Sequence, residues 1–200
     1  MLAKYNKRES KIFGSRFYLI KFLKNIYKNK KQSYNELIKI TLGGIVMRQY
    51  TIKKVTGEID WATIPALDVD NYLWCEKLDI KMKSQICYDE NGLYVHLHAW
   101  EKDIRAELTE PMSMVCEDSC MEFFFRPMEG DLRYFNLEIN PNGQMYIGFG
   151  PNMPKLVRLA LQEEDTLLQK KWNYTEDGWE VFYTFPVSVI QVFFPGYALK

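Results

Sequence analysis

Turn-forming segments recur along the chain after Met47, at the spacing that short β-strands require. They are DENG (89–92), PMEGD (127–131), NPNG (140–143) and TEDG (175–178). Between them lie runs rich in aromatic and β-branched residues, and most of these runs alternate in polarity: LYVHLHAWE (93–101), DSCMEFFFR (118–126), RYFNLEIN (133–140), QMYIGF (144–149) and WEVFYTFP (179–186). Such a pattern predicts an all-β fold, an antiparallel β-sandwich of the jelly-roll or immunoglobulin-like kind. Only PKLVRLALQEEDTLLQKKW (154–172) leaves open either a helix or a strand with a loop.

The basic residues are concentrated at the start of the chain. Residues 1–46 contain eleven Lys or Arg and two Glu, which gives a net charge of 11 − 2 = +9. The remaining residues, 47–200, carry 15 − 24 = −9, so the formal net charge of the chain is zero. An acidic body gives no electrostatic reason to bind nucleic acid. We therefore predict a poorly packed basic extension (1–46), followed by one domain (47–200).

Leu42-Gly43-Gly44 can be encoded by TTA-GGA-GGT, which contains a bacterial ribosome-binding sequence upstream of Met47. One hypothesis is therefore that translation starts at Met47 and that residues 1–46 are not made in vivo. The alternative is a basic, partly helical arm that binds an acidic surface. A peptide from residues 1–40 in mass spectrometry of the native protein would rule out the later start.

Four cysteines in 200 residues are too few for a disulfide framework, and no segment has the continuous apolar stretch of a membrane span. The apolar run in the basic extension is interrupted by charges, and no cleavage site of small residues follows it. We expect a cytoplasmic protein with reduced thiols and no membrane partner, with an extracellular location as the alternative.

The three central runs each separate an apolar side from a polar or aromatic side, because side chains alternate across a sheet. The apolar sides are predicted to form one buried core of Leu93, Val95, Leu97, Phe123, Phe125, Phe135, Leu137 and Ile139. The other sides carry Tyr94, His96, His98 and Trp100, then Asp118, Cys120, Glu122, Phe124 and Arg126, then Tyr134, Asn136, Glu138 and Asn140. If the three strands belong to one sheet, these residues form a single surface. Rings beside planar hydrogen-bonding groups are suited to binding sugars, although an ordinary solvated sheet face is the simpler interpretation.

The order of these segments resembles carbohydrate-binding family 9 in its stand-alone and enzyme-linked bacterial members. The segments concerned are NYLWCE (71–76), QICYDENGLYVHLHAWEKDIRA (85–106), EDSCMEFFFRP (117–127), RYFNLEINPNGQMYIGFG (133–150) and DGWEVFYTFP (177–186). The resemblance implies a β-sandwich that binds carbohydrate without catalysis, with structural calcium in some members. It further implies a glucan or xylan ligand, a role in plant-type polysaccharide catabolism and a glycoside hydrolase as partner. Family members usually continue beyond FFPGYALK (193–200), so C-terminal strands are expected to be missing.

The resemblance also implies the residues of a sugar site. Trp100, Glu101 and Arg105 are expected beside the site, and Glu122, Asn136 and Glu138 along the sheet face. Two further tryptophans, Trp74 and Trp172, are additional candidates for a ring that stacks on the sugar.

Three alternatives stay open. His96 and His98, followed by Glu101, could hold a metal as in a cupin, although a third histidine is lacking and Glu101 falls on the opposite strand face. Cys116 and Cys120 would complete a zinc-like set of four. Glu122 and Glu138 could serve as the carboxyl pair of a glycosidase. A Met and His pair could bind haem, but nothing in the sequence selects one.

Overall fold

The computed structural model describes residues 50–70 and 79–199, and within residues 1–49 it describes the backbone of three short strands. Those three strands are β1 (Arg16–Leu23), β2 (Thr41–Leu42) and β3 (Ile45–Val46). The segment 71–78, which contains the predicted stacking residue Trp74, lies outside the described residues.

Ten further strands follow in the described part of the domain. They are β4 (Lys53–Lys54), β5 (Ala66–Asp68), β6 (Lys81–Tyr88), β7 (Gly92–Trp100), β8 (Ser119–Arg126), β9 (Tyr134–Ile139), β10 (Met145–Gly150), β11 (Val157–Arg158), β12 (Lys171–Thr175) and β13 (Gly178–Pro186). Among residues 50–70 and 79–199 there are two short helices, α1 (Glu164–Leu168) and α2 (Val187–Phe193), and 3-10 turns at Trp61–Thr63, Val115–Glu117 and Met153–Lys155. Within the described part of the chain, neither helix has the length and apolar character that a membrane span requires.

The strands form two sheets. Sheet 1 has the order β1-β8-β9-β10-β11, and sheet 2 has the order β12-β13-β7-β6-β4, with β5 also paired to β6. Strands β2 and β3 form a separate hairpin. Most pairs are antiparallel, but β1 runs parallel to β8 and β4 runs parallel to β6. The predicted all-β sandwich is confirmed.

The core lies between the two sheets. Every residue predicted for it is at most 2% exposed, and all of them belong to one apolar cluster. Phe135 of sheet 1 contacts Phe185 of sheet 2 edge to face, with ring centroids 4.9 Å apart. The side chains that alternate with these core residues therefore point away from the sandwich, on the outer face of one sheet or the other.

Three features differ from the sequence-based expectations. The segment 154–172 contains strand β11, helix α1 and the start of β12, so both interpretations of it were partly right. Helix α2 was not predicted, because its β-branched residues favour a strand. Residues 16–23 of the extension pair with β8 along its whole length, a backbone contact that the sequence did not predict. The side chains of the extension lie outside the described residues, so its poor packing stays a prediction.

Candidate functional site

The outer face of sheet 1 carries a compact group of polar and aromatic side chains, which we call the Glu122 face. Cross-strand pairing brings Glu122 opposite Glu138 and Phe124 opposite Asn136. On the other side of β9, Tyr146 lies opposite Glu138. We define the Glu122 face by eight of the outward residues of strands β8 to β11: Glu122, Phe124, Arg126, Tyr134, Asn136, Glu138, Tyr146 and Arg158.

Two carboxyl groups occupy the centre of this face. Glu122 is 7% exposed and Glu138 is 8% exposed. Burial, and then the charge of Glu138, raise the pKa of Glu122 to about 8. Burial also raises the pKa of Glu138, while a hydrogen bond from Asn136 and the charge of Arg158 oppose that rise. At neutral pH the pair therefore holds at least one proton, so that Glu122 presents an O–H donor as well as an acceptor oxygen.

Several polar atoms around this pair have no partner in the described structure. Asn136 donates from Nδ2 to Glu138 Oε1 at 2.7 Å, but its buried Oδ1 accepts no hydrogen bond. Nε of Arg126 and Nε of Arg158 are likewise buried and without an acceptor. Buried polar groups are normally satisfied, so three such atoms on one face mark a part of the structure where the hydrogen bonding is incomplete.

Aromatic rings flank the polar centre. The rings of Phe124 and Tyr134 lie 5.8 Å apart, and the guanidinium of Arg158 lies 4.9 Å from the centre of the Tyr146 ring. All three rings are partly exposed. Half-exposed rings beside planar hydrogen-bonding groups can pack on the C–H faces of a sugar while the polar groups bind its hydroxyls.

A loop borders the Glu122 face and is held by fixed contacts. Arg158 donates to the carbonyl oxygens of Met112 and Ser113 at 2.7 and 2.9 Å. The buried carboxylate of Asp118 accepts hydrogen bonds from the backbone N–H groups of Glu107 and Leu108 at 3.1 and 2.9 Å. These contacts fix the edge of the site before any ligand arrives.

The expected single surface is wrong, because β7 and β8 belong to different sheets. Trp100 lies on the outer face of sheet 2, where its ring stacks on His98 at 3.9 Å, whereas Glu122 lies on the outer face of sheet 1. The thickness of the sandwich separates them, so one sugar cannot contact both.

The other predicted site residues have different environments. Glu101 is 2% exposed and accepts hydrogen bonds from Ser119 Oγ at 2.9 Å and from Trp179 Nε1 at 3.3 Å, which links the two sheets. Arg105 pairs with Glu107 at 3.0 Å. The ring of Trp172 packs against the core and against the turn at Gly143, where a Cβ atom would collide with it. The structure therefore gives Glu101 a role in joining the two sheets, while the role of Trp172 in a sugar site stays a prediction.

The proposed set of four zinc ligands is also wrong. Cys120 lies on β8 in sheet 1, whereas His96 and His98 lie on β7 in sheet 2. Burial raises the pKa of Cys116 and, further, that of Cys120, which disfavours the thiolate that a metal needs. As for calcium, no three carboxylates of the described residues converge, and the group around Glu122 and Glu138 is completed by a thiol, which does not fit calcium.

Arg158 and Tyr146 were missed by the sequence analysis. Both reach the Glu122 face because β10 pairs with β9 and β11 returns beside β10, with Gly148 opposite Arg158. The alternation of QMYIGF does put Tyr146 on the side away from the core. The two-residue strand β11 leaves no comparable pattern in the sequence.

Comparison with known proteins agrees with this architecture. The model of carbohydrate-binding family 9 matches residues 52–189. A candidate carbohydrate-binding protein from Bacteroides uniformis ATCC 8492 is 25% identical with a TM-score of 0.59, over 68% of this chain and 72% of that one. No curated protein sequence matches the chain.

Two further solved structures are of a family 9 module from Caldicellulosiruptor kristjanssonii. The structure in complex with glucose is 13% identical with a TM-score of 0.47, over 68% of each chain. The structure in complex with cellotriose is 14% identical with a TM-score of 0.46, over 70% of this chain and 64% of that one. The match of the family model over residues 52–189, together with the two-sheet sandwich, shows that the chain belongs to carbohydrate-binding family 9.

Proposed function

We propose that the Glu122 face binds carbohydrate and does not cleave it. The observation that supports this most strongly is the set of unpaired buried atoms on that face: Asn136 Oδ1, Arg126 Nε and Arg158 Nε. One acceptor and two donors, next to a carboxyl pair that holds a proton at neutral pH, match sugar hydroxyls, which both donate and accept.

The aromatic residues supply the second part of the recognition. Phe124, Tyr134 and Tyr146 border the polar centre and are only partly buried. A pyranose ring has one relatively apolar face and a rim of hydroxyl groups. In the proposed complex the apolar face packs against an aromatic ring while the hydroxyl rim points to Glu122 and Asn136.

We also propose a class of ligand and a setting for this binding. Membership of the family supports a β-linked glucan or xylan of plant type, bound as an oligosaccharide or at a chain end. It also supports a role beside a glycoside hydrolase in polysaccharide catabolism. The glucose and cellotriose of the structures compared above make glucose-based oligosaccharides the first ligands to try.

Hydrolysis by Glu122 and Glu138 is a second candidate, because ligand atoms of the two carboxyl groups lie within 4.8 Å of each other. A retaining glycosidase has its carboxyl groups about 5 Å apart. Against this, Glu122 and Glu138 are cross-strand neighbours on one face of one sheet, whereas the two carboxyl groups of a glycosidase flank the scissile bond. We therefore propose binding alone.

The test is titration calorimetry of the full chain with glucose, cello-oligosaccharides and xylo-oligosaccharides, followed by analysis of the recovered sugars. We expect saturable binding of at least one series and recovery of intact oligosaccharide. Shortened products that disappear in Glu138→Gln would instead assign hydrolysis to the pair. Absence of binding to every sugar would contradict the proposed function.

A further inference from the structure

A second cluster of side chains lies on the outer face of sheet 2, away from the Glu122 face. His96 and His98 come from β7, and Glu180 comes from the neighbouring strand β13, where it pairs with His98 in the register. One ligand atom from each of the three residues lies within 4.8 Å of the other two. We call these three residues the His96 cluster.

The tautomer of His96 is fixed by Gln85. The amide nitrogen of Gln85 donates to the carbonyl oxygens of Trp61 and Ile64, both at 2.7 Å, so its Oε1 must face the imidazole. Nδ1 of His96 lies 2.9 Å from that oxygen and therefore carries the proton. In the neutral ring, Nε2 of His96 then has a lone pair and no hydrogen.

That lone pair points at a carboxylate. Nε2 of His96 lies 3.0 Å from Oε2 of Glu180. Two acceptors at this distance repel each other unless positive charge lies between them, either a proton on the ring or a metal cation.

His98 distinguishes these two possibilities. Its Nε2 is buried and has no hydrogen-bond partner among the residues that the structure describes. A proton between His96 and Glu180 would satisfy that pair but would leave His98 unsatisfied. A cation within reach of all three residues would satisfy both histidines and the carboxylate.

We propose that His96, His98 and Glu180 bind a divalent transition metal ion of the zinc class. Two imidazoles and one carboxylate form a ligand set that suits Zn²⁺, Ni²⁺, Co²⁺ or Fe²⁺ better than Ca²⁺ or Mg²⁺. Gln85 supplies the outer contact that metal-bound histidines usually have, an acceptor for the N–H that does not face the metal.

The spacing of the cluster is compatible with such an ion. Three atoms within 4.8 Å of one another leave a point within about 2.8 Å of each, and Zn–N and Zn–O bonds need roughly 2.0 to 2.2 Å. Side-chain movements of less than about 1 Å therefore complete the site. His96 and Glu180 keep 13% and 22% of their side-chain surface exposed, so an ion can enter from solvent.

Aromatic rings support the histidines. The ring of Phe182 stacks on that of His96 with centroids 4.0 Å apart, and the ring of Trp100 stacks on that of His98 with centroids 3.9 Å apart. Trp61 contacts His96 edge on. These rings hold the two imidazoles in place. Lys83 on β6 lies opposite His98 in the strand register. Its Nζ pairs with Oδ1 of Asp68, 3.7 Å away.

The experiment is calorimetric titration of the full chain with zinc chloride, and in parallel with calcium and magnesium chloride. We expect one equivalent of zinc to bind, calcium and magnesium to bind far more weakly, and zinc to raise the melting temperature. Cobalt should bind without the near-ultraviolet absorption of a thiolate–cobalt bond. That absorption would place the ion at the cysteines and overturn the proposal.

Two variants and one control assign the site. His98→Ala and Glu180→Gln should each weaken zinc binding by roughly tenfold or more, and Glu176→Gln, an exposed glutamate outside the cluster, should not. Glu180→Gln should also melt no lower than the parent without metal, because its amide can donate to Nε2 of His96. Unchanged zinc affinity in both variants would refute the site, as would failure of the parent to bind zinc.

Discussion

At the scale of single residues, the most unusual group on the Glu122 face is the carboxyl of Glu122 itself. Its pKa is raised to about 8, chiefly by burial. In the unfolded chain the same group titrates near its ordinary value of 4.5. Between these two values the folded protein holds a proton that the unfolded chain has lost, so stability falls as the pH rises through this window.

We therefore expect Glu122→Gln, which removes the titration and keeps the shape, to flatten the decline of the melting temperature between about pH 5 and pH 8. Thermal melts monitored by circular dichroism at several pH values measure this. Glu176→Gln serves as the control, since Glu176 is exposed on a turn. Equal pH dependence in the parent and Glu122→Gln would contradict the raised pKa.

A second residue-scale prediction concerns Asp118, which holds the loop beside the Glu122 face. Besides the two backbone N–H groups, its carboxylate accepts from Asn140 Nδ2 at 2.9 Å. Asp118→Ala leaves these donors unsatisfied and should cost about 3 kcal/mol of unfolding free energy in urea denaturation. A loss below about 1 kcal/mol would show that water replaces the carboxylate.

At the scale of elements, the apolar side of β8 is central to the core. Phe123 is fully buried between the sheets, and its ring lies 6.3 Å from that of Phe125. Phe123→Ala should cost about 3 to 5 kcal/mol by chemical denaturation, because it removes a large side chain that the packed core cannot replace. Leu132→Ala, at a position 66% exposed, is the matched control and should change stability little. Similar losses in the two variants would argue against the assigned core.

The faces of the strands could be predicted from the sequence, and their assignment to sheets could not. Alternation in LYVHLHAWE and EFFFR shows which side chains of one strand share a face. The alternation does not show which strands lie next to each other in a sheet. β7 and β8 are consecutive, yet the connection 101–118 crosses from sheet 2 to sheet 1. For this reason alternation could place Glu122, Asn136 and Glu138 on outward faces of their strands, but it could not show that Trp100 belongs to the other sheet.

The His96 cluster shows the same limit at a smaller scale. HLH identifies two imidazoles on one face, but the third ligand, Glu180, is more than eighty residues later in the chain. Only the pairing of β13 with β7 brings it opposite His98.

At the scale of the whole molecule, β1 forms one edge of sheet 1 and covers the edge of β8. It pairs in parallel with β8 from Arg16 opposite Ser119 to Leu23 opposite Arg126. Deletion of residues 1–46 would remove this strand and leave β8 as an exposed edge, which promotes self-association. We expect the shortened protein to melt at a lower temperature and to associate more readily, as measured by scanning calorimetry and size-exclusion chromatography. An unchanged midpoint with monomeric behaviour would support the earlier expectation that the extension packs poorly and would fit translation from Met47.

The molecule as a whole presents two outer faces with different chemistry, separated by one apolar core. The Glu122 face has a carboxyl pair, unpaired amide and guanidinium atoms and partly exposed rings, whereas the face of sheet 2 has stacked imidazoles and indoles around Glu180. We expect sugar to bind to the first of these faces.

The most direct test compares Asn136→Ala and Trp100→Ala in calorimetric titration with the oligosaccharide that the parent binds best. Removal of the Asn136 amide should weaken binding by about 1.5 to 3 kcal/mol, roughly tenfold to a hundredfold, while both variants stay folded. Trp100→Ala should bind as the parent does, because Trp100 lies on the opposite face. Loss of binding in Trp100→Ala with full binding in Asn136→Ala would place the sugar on sheet 2 and contradict the account.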